Sequence, residues 1–234
     1  MERFELDEYN PRPDVVDAIA TRLARGAIGA LATDTSWSLV TSALDASGAH
    51  RLADLRSTPN RGADRRPMSL ICCDMAMAGA YAMLDQPQFR LVRRLLPGPY
   101  TLILPASRLV PRRLQTKRRA IGIRIPNHAV VQAVIERCEA PLFATTARGA
   151  NGTLLGSSSE VIDEWQRHLD LIVDATPILP GASTVVDLTG PTPVVLRKGL
   201  GPVEEEWEVA TDEEAERPED LRDRRGRLRR STPR

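Results

Sequence analysis

Ala120-Ile121-Gly122-Ile123-Arg124-Ile125-Pro126-Asn127 is the stretch whose reading decides the fold. In extended backbone successive side chains alternate, so Ile121, Ile123 and Ile125 share one face while Gly122 and Arg124 share the other. The isoleucine face belongs on a core. The opposite face offers a guanidinium beside a glycine that leaves space for it. Pro126 cannot continue the strand, and Asn127 can cap a helix whose Val131, Val134, Ile135 and Cys138 fall on one side. One strand, one tight turn and one amphipathic helix make an α/β unit.

The same alternation of periods extends in both directions. Upstream, Pro13 and Asp14 open a helix with Val15, Val16, Ile19, Ala20 and Leu23 on one face and Gly26 at its end. Ala27–Thr33 reads as a buried strand, Ala49–Leu55 as a short helix and Met68–Cys73 as a strand followed by a cap at Asp74. Phe89, Leu91, Val92 and Leu95 suit a helix stopped by Pro97-Gly98-Pro99, with a strand from Tyr100 to Leu104. Downstream come a strand at Leu142–Thr145 and a helix from Ser158 or Ser159 to about His168. Three further strands follow near Leu171–Asp174, Thr184–Leu188 and Val194–Arg197, the last two antiparallel across Gly190-Pro191. This order predicts one α/β domain with an open, twisted, mixed sheet flanked by helices.

Composition agrees. The 234 residues are 42% hydrophobic and 27% charged, ordinary for a soluble globular protein. The apolar runs are short, none approaching the roughly 20 residues of a membrane span. Met1-Glu2-Arg3-Phe4-Glu5 shows no basic-then-apolar signal pattern. Three cysteines without a CxxC make a poor disulfide framework. Both observations point to the cytoplasm. His50, His128 and His168 lack metal-ligand spacing, so no zinc site is expected. Lys117 and Lys198 are the only lysines; arginine supplies the remaining positive charge.

A composition break follows Pro202. Glu204–Arg234 contains eleven acidic residues and eight arginines, a net of −3, which leaves +4 on residues 1–203 of a chain that totals +1. The segment is acidic first (Glu204–Glu206, Glu213-Glu214) and basic later (Arg222 to Arg230). The domain is therefore expected to span residues 1–203 and a charged disordered tail residues 204–234. A solvated tail and an RNA-seeking basic tip are both open readings of its end.

No GxxxxGK[ST] or GxGxxG fingerprint is present. Polar residues instead gather at strand ends, where open α/β sheets bind ligands. Thr33 and Thr35 follow the first strand, Thr145 and Thr146 end another, Ser183 starts a late one and Arg197 ends the last. Hydroxyls and backbone N–H groups suit phosphate or carboxylate oxygens, although turn and cap chemistry uses the same residues. Arg124, facing a cleft, can fork onto a carboxylate or phosphate; the alternative is a solvated face or a structural ion pair. Arg112-Arg113 with Lys117-Arg118-Arg119 forms a basic loop, either solvated or meeting an RNA backbone.

These segments together resemble the YrdC-like family, which includes the threonylcarbamoyl-AMP synthases. Ala32-Thr33-Asp34-Thr35-Ser36-Trp37-Ser38-Leu39 resembles its P-T-D-T-x-Y-G-L element and Ile121–His128 its V-G-x-R-x-P-x-H element. Ala144-Thr145-Thr146-Ala147 stands at T-S-A-N, Ser183–Asp187 at S-T-V-V-D and Leu196-Arg197-Lys198-Gly199 at L-R-x-G. Five elements in order cover about Pro13 to Pro202. Pro67–Cys72, Phe89–Val92, Leu96–Leu104 and Val110–Leu114 leading to Lys117–Arg119 are closer to the YciO branch. Departures cluster in the site elements. Arg56-Ser57-Thr58 stands at the family's K-x-R, with Arg61, Arg65 or Arg66 available to restore the charge. Arg148 replaces the Asn of T-S-A-N, and Trp37-Ser38 replaces Tyr-Gly.

The resemblance implies a concave basic cleft that makes threonylcarbamoyl-AMP from L-threonine, bicarbonate and ATP for tRNA modification, with Mg²⁺ carried on the ATP rather than held in a protein cage. Arg56, Arg124 and Arg197 would be the catalytic cations. Thr33, Thr35, Arg61, Thr145, Thr146 and Ser183, with Arg124 and Arg197, would contact nucleotide and threonine. The rival reading is a YciO-like protein that binds a nucleotide, tRNA or other structured RNA without making the adenylate.

Overall fold

The computed structural model describes residues 1–56, 68–116, 118–175 and 181–211. Eleven strands among them form one mixed sheet. In chain order they are β1 (Glu2–Glu5), β2 (Gly29–Ala32), β3 (Trp37–Ser42), β4 (Ser69–Ile71), β5 (Tyr100–Pro105), β6 (Ala120–Arg124), β7 (Leu142–Thr146), β8 (Leu171–Asp174), β9 (Thr184–Asp187), β10 (Val194–Arg197) and β11 (Glu208–Val209). Across the sheet the order is β1-β8-β2-β3-β7-β4-β6-β5-β9-β10-β11. Six helices flank it: α1 (Pro13–Ala24), α2 (Ala46–Arg56), α3 (Met75–Tyr81), α4 (Gln86–Leu95), α5 (Ala129–Cys138) and α6 (Ser158–Trp165). None of the described helices is long and apolar enough to cross a membrane.

Local chemistry places the helix starts. Pro13 opens α1, Asp74 caps α3 through the Met77 N–H, and Asp85 and Ser157 form capping boxes with Gln88 and Glu160. The cap expected at Asn127 lies one residue later. His128 is the N-cap of α5, without a side-chain cap bond, because the Asn127 N–H is drawn to the Asp34 carboxylate at 3.0 Å.

Each sheet face has its own core. Ile121, Ile123, Ile125, Leu70, Leu102, Phe143, Leu39 and Ile172 pack on one face beneath residues of α2, α3, α4 and α6. Val16, Ile19 and Leu23 of α1 and Val130, Val131, Val134 and Ile135 of α5 cover the other, against residues of β8, β2, β3, β7 and β4. That second cluster includes no residue of β6, β5, β9 or β10. There the inward residues Leu102 and Val186 are fully buried, while their neighbours Thr101 and Val185 are half-buried. Register places Ser69, Gly122, Ile103, Val185 and Arg197 on this second face. This stretch, toward the β11 end of the sheet and outside the core beneath α1 and α5, is the candidate groove among the described residues. Gly122 leaves less space than expected: a Cβ there would lie 3.2 Å from Ser69 and 3.3 Å from Thr101, so neighbouring side chains close over it.

The antiparallel pairing of β9 with β10 is as read from the sequence. The early domain boundary is not. Glu204–Thr211, expected in the tail, are part of the fold: Trp207 is buried in the first core, Glu204 pairs with Arg94 at 2.6 Å, and β11 runs parallel to β10. An indole amid glutamates escaped a reading based on composition. Residues 212–234 lie outside the described residues.

Candidate functional site

The loop after β2 organises itself. The Thr33 hydroxyl donates to the Ser36 carbonyl at 2.7 Å and accepts the Thr35 and Ser36 N–H groups at 3.3 Å. This side-chain turn commits the Thr33 hydroxyl to the loop and leaves Asp34 and Thr35 to meet Arg124. Arg124 Nη2 donates to Asp34 Oδ1 at 3.1 Å and to Thr35 Oγ1 at 2.8 Å. The Thr35 carbonyl accepts the Gly181 N–H at 2.9 Å.

These contacts reveal the shape of the groove. Four strand steps separate β2 from β6 and six separate β2 from β9. At about 4.8 Å per step a flat sheet would hold them roughly 19 Å and 29 Å apart. The twist of the sheet, the length of the Arg124 side chain and the loops after β2 and ahead of β9 together close these distances, so loop 33–36 bridges one end of this face.

Arg124 is 4% exposed and on the groove face, but it does not present a free fork. One of its nitrogens is committed to Asp34 and Thr35, while Nε is buried without a partner among the described residues. Burial pushes its pKa down, and Asp34 opposes this. The fold contains a structural ion pair, in which Arg124 Nη2 is engaged by Asp34 and Thr35.

Arg197 differs. Nε and Nη2 donate to the Ser183 carbonyl at 3.1 and 2.8 Å, and Nη2 to Ser183 Oγ at 3.1 Å. Ser183 Oγ in turn lies 2.7 Å from Thr101 Oγ1. Arg197 is half-buried, and its bonds to Ser183 fix the orientation of its guanidinium. The turn after it is equally fixed: the Gly199 N–H donates to Thr184 Oγ1, which donates to the Gly201 carbonyl. A side chain at 199 would overlap the Ala182 carbonyl.

Thr145 and Thr146 part company. Thr146 pairs with Ser38 on the groove face, and Thr145 with Leu39, whose side chain lies in the opposite core. The adjacent threonines therefore do not act as one unit. Arg148, at the family's Asn position, donates to the Gly152 carbonyl at 2.6 Å, and its own carbonyl accepts Trp165 Nε1. Arg56 closes α2, and its side chain, with Arg61, Arg65 and Arg66, lies outside the described residues. In the basic loop Arg112 and Arg119 are exposed; Lys117 is outside the description.

Two residues were not singled out by the sequence reading. Asp34 was passed over between its two threonines, although a lone carboxylate at a strand exit opposite a strand-borne arginine is a signal. His128, treated as scattered, is 3% exposed with neither ring nitrogen hydrogen-bonded among the described residues. Burial lowers its pKa, with Glu8 and Asp34 acting against that. No cluster of three or more His, Cys, Asp or Glu among the described residues could hold a metal ion.

The Sua5/YciO/YrdC family model, described as "Telomere recombination", matches residues 21–199. The uncharacterized protein YciO of Escherichia coli K12 is 31% identical over 202 residues, covering 86% of this chain and 96% of YciO. The threonylcarbamoyl-AMP synthase of Pyrococcus abyssi is 29% identical over 184 residues; the match covers 78% of this chain and 53% of the synthase. Among solved structures, E. coli YciO superposes with a TM-score of 0.80 at 29% identity, covering 87% of this chain and 98% of that one. P. abyssi Sua5 complexed with L-threonine gives 0.80 at 25% identity, covering 90% and 63%.

Proposed function

The chain belongs to the Sua5/YciO/YrdC family, and from that premise we propose that its groove is a nucleotide-handling cleft that makes threonylcarbamoyl-AMP for tRNA modification in the cytoplasm. The observation that carries this reading is Arg197, half-buried on the uncovered face and oriented by Ser183 and Thr101. A cation held this way suits an anionic oxygen of ATP or threonine. The similarity to a Sua5 complexed with L-threonine supports the amino-acid half of the substrate pair.

The reaction balances without a side-chain nucleophile. The threonine amine and bicarbonate give a carbamate and water. A carbamate oxygen then attacks the α-phosphorus of ATP, and the bond to pyrophosphate breaks. Catalysis is positioning plus positive charge. Arg197 neutralises phosphate or carboxylate, with Ser183 beside it and Thr146 across the groove. Arg124 acts by fixing Asp34, Thr35 and the bridging loop. Arg56 and Arg61 would supply charge from the K-x-R region, and Mg²⁺ would arrive on ATP.

A second reading is favoured by Arg148, whose guanidinium is drawn into the 149–152 turn where the family element has an amide. On that reading the cleft binds nucleotide or structured RNA without forming the adenylate, and the exposed basic loop meets phosphates. Pyrophosphate release with ATP, bicarbonate and L-threonine separates the two. Threonine-dependent release supports the synthase. Nucleotide-induced stabilisation with no threonine-dependent release supports the second reading and rejects the first.

A further inference from the structure

Several hydroxyls of the candidate site are already committed. Thr33 bonds within its own loop, Thr35 receives Arg124, Thr101 and Ser183 bond each other at 2.7 Å, and Thr184 donates to the Gly201 carbonyl. Ser69 is different. It is half-buried on β4, on the face that carries Gly122 and Arg197, and no hydrogen bond reaches its hydroxyl among the described residues. Register seats it between Ala144 on β7 and Gly122 on β6. These two neighbours bring only a methyl group and a hydrogen, so Ser69 Oγ is the polar side-chain atom of this part of the floor. The packing is close: a Cβ at Gly122 would lie 3.2 Å from Ser69 Cβ and 3.3 Å from Thr101 Cγ2. The loop after β2 reaches Arg124 on β6, and β3, β7 and β4 lie between those two strands. Ser69 therefore belongs to the stretch of sheet that the Asp34–Arg124 pair spans.

A floor of small side chains with one neutral hydroxyl discriminates among ligand groups. A carboxylate, phosphate or ammonium seated there would meet a single neutral partner, too little to offset its desolvation. A neutral hydroxyl needs only one partner, and a serine Oγ can donate or accept. We propose that Ser69 is a specificity-determining residue whose hydroxyl receives the side-chain hydroxyl of a β-hydroxy amino acid; this rests on reading the groove as a cleft for L-threonine and ATP. The charged ends of the amino acid are left to charged groups such as Arg197. A site built to hydrogen-bond a substrate hydroxyl disfavours the analogue that lacks it, because its own polar atom is then left unpaired. L-valine, which puts a methyl where L-threonine has its hydroxyl, isolates this contact.

Titration calorimetry of L-threonine and of L-valine into the full chain tests this. The protein is first saturated with Mg²⁺ and α,β-methylene-ATP, whose α–β linkage resists cleavage. The unaltered chain is expected to bind threonine about fivefold or more tightly than valine, the scale of one neutral hydrogen bond. Ser69→Ala should lose about that factor for threonine and keep its valine affinity within about twofold, so the preference collapses. Ser69→Thr retains the hydroxyl and should retain the preference. Affinity for the nucleotide analogue should be the same in all of them. An unchanged preference in Ser69→Ala would overturn the inference, as would no threonine binding by the unaltered chain. Equal losses for both amino acids, or for the nucleotide, would also overturn it, because they would mark a merely structural role. Pyrophosphate release separates this from the cleft reading. Threonine binding that depends on Ser69 without any release counts against the synthase alone. Release with a threonine preference that survives Ser69→Ala counts against Ser69 alone.

Discussion

Arg124 and Asp34, 90 residues apart in sequence, meet at 3.1 Å with side chains only 5% and 10% exposed. Removing one partner of a buried pair strands the other in a poorly solvating interior. Asp34→Asn should therefore destabilise the protein by about 3–5 kcal/mol, read from the urea midpoint at unchanged m. Replacing both, Asp34→Asn with Arg124→Met, should cost less than the sum of the two single changes. Strict additivity would show that the pair is not coupled.

The chain end divides into a structural and a dispensable part. Ending the chain after Val203 removes Trp207 and β11, a loss on the scale of truncating a buried tryptophan, about 3 kcal/mol or more. Thermal melts should fall by roughly 10 °C. Ending it after Thr211 should leave the melting temperature within a degree or two. Equal melting of the two shortened chains would contradict the docking of Trp207.

Arg197 is the side chain on which the proposed chemistry turns. Arg197→Ala should weaken ATP binding about tenfold or more, the scale of one charged hydrogen bond, in addition to the stability it loses with the Ser183 bonds. Arg197→Lys should recover only part, because the fork is lost. Ser183→Ala should raise KM more than it lowers kcat, by freeing the guanidinium to reorient. Undiminished ATP-induced stabilisation in Arg197→Ala would remove this residue from the site.

His128 gives a pH signature. Its ordinary pKa is 6.5 and burial lowers it, so on acidification the unfolded chain takes up the proton before the folded one. Stability present at neutral pH should fall as pH drops through 6.5 toward the lowered folded value, with Glu8 and Asp34 softening the loss. In His128→Asn the limb below about pH 6.5 should flatten by up to ~1.4 kcal/mol per pH unit. Identical limbs in both proteins would mean that the imidazole protonates freely in the fold.

Where local period and face decide the outcome, the sequence was legible. The isoleucine alternation located β6 and put Arg124 on the other face, and the apolar spacing of residues 13–24 located α1. Long-range pairing was not legible. β1 is a charged edge strand that exists because Glu2–Glu5 find Leu171–Asp174, and β3 was hidden behind a loop read only for its ligands. The site was half legible for the same reason. Strand ends announced Thr33, Ser183 and Arg197. Whether Thr145 and Thr146 share a face, or whether Arg124 is already engaged, depends on register and twist, which no local pattern records.

The bridging loop gives that twist a further meaning. Residues 33–36 are fastened at two points, to Arg124 on β6 and through Thr35 to Gly181 ahead of β9. Spreading the sheet would strain both fastenings together, so the loop acts as a tie across the face that carries Arg197.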